Sequence, residues 1–466
     1  MDDSRHGAMV RWGLAAITAA SLLGVYTRLP LYSLALQASV FVIAFIYLAS
    51  GRRPWTGSRW LGWTALALAL ALVASTLFSV DRAASLLSLG QWATYGLVAW
   101  LTASVFQMIN LRLPAQYLLL LGVLMAGLAV YFYWGEVGQA TLPVMSSIFG
   151  NKNHFGGYLL LILPLALALY LEAASGRERL AYGAVTVFLG STFILTYSRG
   201  AWFAFIPAIA IVMWAFRNRP ATLVRRLVPV GAAVVVVTLA MTQGSLAKTL
   251  DLGYRGALSV ARAAAGGEPQ DTLAPRLDYW QGALHIMADN PLAGTGLGTY
   301  EAVFPGYQRD PQFYSRFAHN FFFQMGAEAG VPALLVSLAL FGFLAERWIR
   351  RGGSRASPTR ASPIVIDSAG TLAILSGLAA GLVASTLHNM VDLDWYLPAV
   401  GLLFSFETGL VLGNSGRELR QVPNDTAHLG VRYRHSYDGW PRWAGVAGCT
   451  LLLVAAAWQW SEHLLL

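Results

Sequence analysis

Runs of about twenty apolar residues, each long enough to cross roughly 30 Å of hydrocarbon as a helix, follow one another along almost the whole of this 466-residue chain. They lie near 10–26, 29–50, 60–78, 86–106, 115–135, 155–172, 181–198, 200–216, 227–243, 321–346, 368–390, 396–413 and 443–461. Charged residues make up only 12% of the chain and hydrophobic ones 56%, against roughly 25% charged in soluble domains. The sequence predicts an all-α polytopic membrane protein with about 12–13 transmembrane helices, forming a single transmembrane domain over 1–466.

Arginine clusters occupy alternate connections: Arg52, Arg53 and Arg59; Arg112; Arg177 and Arg179; Arg217 to Arg226; Arg347 to Arg360; Arg417 to Arg442. With Arg5 and Arg11 they define the cytoplasmic side by the positive-inside rule. Cytoplasmic loops are expected at 347–367 and 413–442, and a long loop of the opposite face at 244–318. The formal net charge of +9 is thus mostly topological and makes no case for nucleic acid. The segment from Val10 to Tyr26 has no small-residue cleavage site and reads as an uncleaved first span. Cys449 is the only cysteine and lies in an apolar run, so there is no disulfide framework.

Inside the long loop, Pro275 precedes Arg276, Leu277, Trp280, Leu284 and Met287, a helical spacing with proline in the first turn. Gly294, Gly296 and Gly298 follow. Without a flanking βαβ unit these glycines predict a compact loop rather than a nucleotide site.

The short outer loops hold few cations: Arg28, Arg82, Lys152 and Arg199. A cation that resists the topological bias needs another reason to be there, and an anionic substrate supplies one. The segments concerned are Asp81-Arg82, Asn151-Lys152-Asn153-His154, Tyr197-Ser198-Arg199-Gly200 and Ala318-His319-Asn320, with His388-Asn389, Asp392 and Asp394 as a fifth. Plainer readings exist for each. Arg199 could snorkel, Arg82 could pair with Asp81, His319 could cap the following helix, and His388 could pair with Asp392 at i, i+4 spacing. Together they suggest a diphosphate site, since a guanidinium fork matches phosphate oxygens two at a time and stays charged. Outer carboxylates are sparse, so a metal-free clamp is expected and no cofactor is called for.

These residues carry a resemblance to the O-antigen ligase-like family of membrane glycosyltransferases. The matching stretches are Phe149–Gly157, Thr196–Trp202, Arg276–Tyr300, and His319-Asn320 leading to Glu328-Ala329-Gly330. The resemblance covers about 145–410. It implies a helical fold of the GT-C type in the bacterial inner membrane, with the active site facing the periplasm and a polyprenyl-diphosphate-linked sugar as donor. It also implies that Arg199, Arg276 and His319 are catalytic. Arg82, Lys152, Asn153 and Tyr197 would join the two arginines around the donor diphosphate, and His319 and Asn320 would face the acceptor.

Within that family the late single loop and the small C-terminal region look most like an O-antigen ligase. Such an enzyme joins polysaccharide from undecaprenyl diphosphate to a hydroxyl of lipid A-core. An O-antigen polymerase, a protein O-oligosaccharyltransferase and a flippase for lipid-linked sugars are the alternatives; the flippase is disfavoured by nearly all-apolar midspans and the absence of repeats. With no carboxylate nucleophile expected beside the site, direct attack by the hydroxyl would invert the anomeric centre.

Overall fold

The computed structural model describes residues 2–27, 30–51, 55, 57–107, 110–136, 145–242, 273–352 and 368–414. The described chain is helical, with no β-strand among the described residues. In order, the helices are α1 (Asp2–Thr27), α2 (Pro30–Ala49), α3 (Arg59–Leu77), α4 (Arg82–Val105), α5 (Arg112–Glu136), α6 (Lys152–Glu172), α7 (Gly176–Ile194), α8 (Arg199–Ala215) and α9 (Pro220–Met241). They continue with α10 (Leu273–Asp289), the single turn α11 (Tyr300–Val303), α12 (Phe321–Gly352), α13 (Ser368–His388) and α14 (Pro398–Asn414). Each of the twelve apolar segments expected before residue 414 is one of these helices. The thirteenth, 443–461, lies outside the described residues, as do 244–272, most of 347–367 and most of 413–442.

Among the described residues, seven helices are long and apolar enough to cross a membrane: Leu31–Ala49, Arg59–Leu77, Arg112–Trp134, Lys152–Glu172, Pro220–Met241, Phe321–Glu346 and Gly370–His388. Gly7–Leu22 and Arg199–Ala215 are shorter apolar helices. Their burial differs sharply. The apolar window of α6 is 94% buried and that of α9 only 11%, so α6 is the central post and α9 faces outward.

What lets α6 be so enclosed is small residues on its neighbours. Gly377 and Gly381 of α13 sit one turn apart against α6; a Cβ on them would lie 2.6 Å from Leu165 Cα and 2.5 Å from the Leu161 carbonyl oxygen. Gly409 and Gly413 of α14 meet Ala99 and Ala103 of α4 in the same manner, at 2.5 and 2.6 Å from their carbonyl oxygens. Small residues four apart allow backbones to touch where lipid offers no hydrophobic drive for association.

The long loop re-enters the helical body. Gly330 has φ +81° and breaks α12 just before Pro332. The break leaves the carbonyls of Ala327 and Glu328 to accept from the amides of Thr295 (3.1 Å) and Gly296 (2.9 Å), while Val331 donates to the Pro291 oxygen at 2.8 Å. Gly294, Gly296 and Gly298 all have positive φ and press against Glu328, Ser79 and Ser88 respectively. The glycine string is the compact loop the sequence predicts. Inside it, Glu328 is buried and its Oε1 accepts from the Tyr300 amide (3.2 Å) and from Gln324 Nε2 (3.0 Å).

Candidate active site

Four polar segments meet where α6, α8 and α12 begin and α13 ends. The N-terminus of α6 is shaped by Asn151, whose Oδ1 accepts from the Asn153 amide at 2.8 Å, and by Gly150 at φ +60°. The turn between α7 and α8 places Tyr197 at φ +51°. His319, before α12, has φ +50°. Left-handed backbone at a non-glycine residue persists only where the surroundings enforce it, and it gathers at functional sites. At His319 the surroundings are explicit: its ring stacks on Tyr279 with centroids 5.5 Å apart, and its carbonyl accepts from Trp280 Nε1 at 3.4 Å.

Asp392 is the meeting point. Arg276 Nη2 lies 3.1 Å from Asp392 Oδ2, and His319 Nδ1 lies 3.5 Å from Oδ1. The Asp392 side chain is 2% exposed, against 21% for Arg276 and 25% for His319. At 3.5 Å the imidazole contact is longer than a formed hydrogen bond, and Nδ1 has no hydrogen-bond partner; Nε of Arg276 is likewise buried and unpaired. Burial opposes charge on Asp392, but the imidazoles of His319, His388 and His154 outweigh it and hold this carboxyl well below the usual carboxylate range. Asp392 is therefore an anion at neutral pH.

The cations converge as well. Lys152 is half-buried at the start of α6, and the guanidinium charges of Arg199 and Arg276 both act on it. One anion of the fold, Asp392, already balances Arg276 in that field. Tyr197 is buried beside Arg199, and Asn153 is half-buried beside Lys152. Arg82 is exposed on the first turn of α4, where Asp81 Oδ1 accepts from the Ala84 amide at 3.0 Å as the helix cap. Among the described residues, Arg82 makes no hydrogen bond or ion pair with the Lys152, Arg199 and Arg276 group. Asn320 is buried, and its Oδ1 accepts from the amides of Phe322 (3.0 Å) and Phe323 (3.1 Å). Its carbonyl oxygen caps α12 and is committed to the fold.

Two sequence expectations need correction. A carboxylate does stand beside the site: Asp392 touches both Arg276 and His319. The sequence places Asp392 in a segment of its own, and its contact with Arg276, 116 residues away, is what separation in sequence hid. Secondly, the close partner of His388 is Asp394, with Nδ1 and Oδ2 2.6 Å apart, and not Asp392. The i, i+4 argument fails because α13 ends at His388, so the next residues leave the helix. The loop that follows is fixed by Asn389 Oδ1, which accepts from the Trp395 amide (3.1 Å), and by Trp395 Nε1 donating to Ser385 Oγ (3.1 Å). Trp395 is also clamped between Phe341 and Phe404, at centroid distances of 4.9 and 4.6 Å.

His154, His388 and Asp394 are the site neighbours that sequence reasoning left without a role. His154 Nδ1 lies 3.1 Å from Asp394 Oδ1 and 4.0 Å from Asp392 Oδ1. His154, Asp392 and Asp394 each offer a ligand atom within 4.8 Å of the others, a spacing one cation could bridge. Arg276 supplies a permanent counter-charge to Asp392 in this cluster.

No curated protein matches the chain. Residues 184–338, the stretch that contains Arg199, Arg276 and His319 and ends before Asp392, match the family described as O-antigen ligase, which supports an O-antigen ligase-like domain over that stretch.

Proposed function

We propose that this protein is an O-antigen ligase: it transfers polysaccharide from undecaprenyl diphosphate to a hydroxyl of lipid A-core in lipopolysaccharide synthesis. The arginine-poor loops that carry the site favour the periplasmic face of the inner membrane. The observation that carries the reading is the single carboxylate, Asp392, in contact with both the guanidinium of Arg276 and the imidazole of His319. It joins a group suited to a diphosphate to a group suited to a hydroxyl.

As the anomeric C–O bond breaks, negative charge grows on the departing diphosphate. Arg199, Arg276 and Lys152 would stabilise it there, an effect of about 10²–10³ in rate per donor. Tyr197 and Asn153 shape the walls beside them, and Arg82 would meet the donor only at the rim. His319 presents Nδ1–H to Asp392, which fixes the tautomer and leaves Nε2 with the lone pair that takes the acceptor proton. The 3.5 Å contact would shorten as the imidazolium forms. Asp392 serves this base and does not attack the sugar: it is 2% exposed and held by Arg276. Attack by the hydroxyl itself inverts the anomeric configuration, and no metal takes part.

Purified protein mixed with lipid-linked polysaccharide and lipid A-core tests the proposal. Covalent transfer that survives EDTA is expected. Movement of donor between leaflets without product would make the protein a flippase, and strict Mg²⁺ dependence would overturn the metal-free clamp. In cells lacking the protein, a ligase leaves full-length lipid-linked polymer, whereas a polymerase leaves single repeat units.

A further inference from the structure

Asp394 is the carboxylate of the cluster for which the transfer has no chemical task, yet the fold goes to some length to place it. A Cβ at Gly157 would collide with the Asp394 carboxylate, so only glycine at that position of α6 admits it. Each oxygen faces one imidazole: Oδ1 faces His154 Nδ1 at 3.1 Å, and Oδ2 faces His388 Nδ1 at 2.6 Å. His388 is buried in turn against Gly200, beside Arg199.

Asp392 Oδ1 shows what this arrangement protects. A carboxylate oxygen offers two lone-pair positions, and one is taken by the Leu393 amide at 3.0 Å. The other is within reach of two imidazoles, His319 at 3.5 Å and His154 at 4.0 Å. Both present the same nitrogen, Nδ1, to the same oxygen. Only one can have it, and His154 is kept back by its shorter contact with Asp394.

Resting on the transferase reading above, we infer that Asp394 is a positioning residue that occupies His154 and so reserves the last lone pair of Asp392 for His319. Without Asp394, His154 turns to Asp392, and His319 loses the partner that sets its tautomer and orientation. His154 itself then has no part in transfer; it is a competitor held in check.

The test compares the full-length wild type with Asp394→Asn, His154→Ala and the double variant, using the lipid-linked donor and lipid A-core. Asparagine keeps the size but leaves one acceptor oxygen, which the nearer His388 retains. Asp394→Asn is expected to lower kcat about 10- to 100-fold, the scale of a misplaced catalytic group, with little change in KM for the donor. His154→Ala should slow transfer far less than Asp394→Asn does, and the double variant should be faster than Asp394→Asn. A merely structural Asp394 predicts no such rescue. The inference is overturned if the double variant is as slow as Asp394→Asn, if Asp394→Asn matches wild type, or if His154→Ala alone is equally slow. Should Asp394→Asn not accumulate in the membrane, Asp394→Ser takes its place in the same comparison. An inactive wild type overturns the transferase reading and this inference with it; an active wild type without rescue overturns the inference alone.

Discussion

Two buried carboxylates in this molecule stand in opposite circumstances. Asp392 lies at the end of the helical body with an arginine and imidazoles around it. Glu407 lies within α14, 0% exposed, with neither oxygen hydrogen-bonded among the described residues. Its electrostatic neighbour Tyr158 also has an unpartnered hydroxyl. Burial alone would rank the two alike. The difference is convergence: Asp392 collects groups from α10, the start of α12 and the loop after α13, and that makes it chemically useful. Glu407 is an exception among midspans that are nearly all apolar.

The sharpest way to break this comparison is at the site. His319→Ala and Asp392→Asn should each lower the transfer rate about 10²–10⁴-fold, the usual contribution of a general base and its orientation, with membrane levels preserved; transfer near the wild-type rate in either would end the assigned roles. Next is Arg199→Lys, expected to cost about 10²–10³-fold because an ammonium cannot make the two-toothed phosphate contact. Steady-state kinetics with the lipid-linked donor measures it.

Stability separates the two carboxylates by a different route. A carboxyl whose folded pKa is depressed stabilises fully above its ordinary value, 3.8 for Asp392, and loses that contribution as pH falls through the lower folded value. Thermal unfolding should therefore be insensitive to this group from pH 7 to 5 and weaken below about pH 4, and Asp392→Asn should flatten that acid limb. Gly381→Val, which forces a side chain against the Leu161 carbonyl, should destabilise by about 1–3 kcal/mol. The smallest effect belongs to Glu407→Gln. Since no partner is lost, its thermal midpoint and transfer rate should stay close to wild type or rise slightly. Loss of donor movement in that variant would instead bring back the transport alternative.

The helical architecture was legible in the sequence because span length and arginine placement are local signals. Each apolar run from 10–26 to 396–413 became a helix, and the positive-φ glycines at 294, 296 and 298 form the loop their spacing suggested. The proximity of Arg199, Arg276 and Lys152 was approachable from charge placement against the topological bias. The link from Asp392 to Arg276 and His319 was not, because those contacts span more than seventy residues, and the local context Asp392-Leu393-Asp394 follows the end of a helix where periodicity no longer applies. Asn320 carries a structural task the sequence left open: a polar residue one position before an apolar helix suits capping as well as binding, and its Oδ1 takes two amide contacts. Glu407 was passed over because one carboxylate barely alters the hydropathy of a seventeen-residue helix.

Gly377 and Gly381 bring the main chains of α13 and α6 into contact, and a seam that tight has no width for a fatty chain. The hydrocarbon of a lipid-borne substrate must therefore reach the cations along some other wall of the protein. The same two glycines that build the central post thus also restrict the directions from which a lipid can approach it.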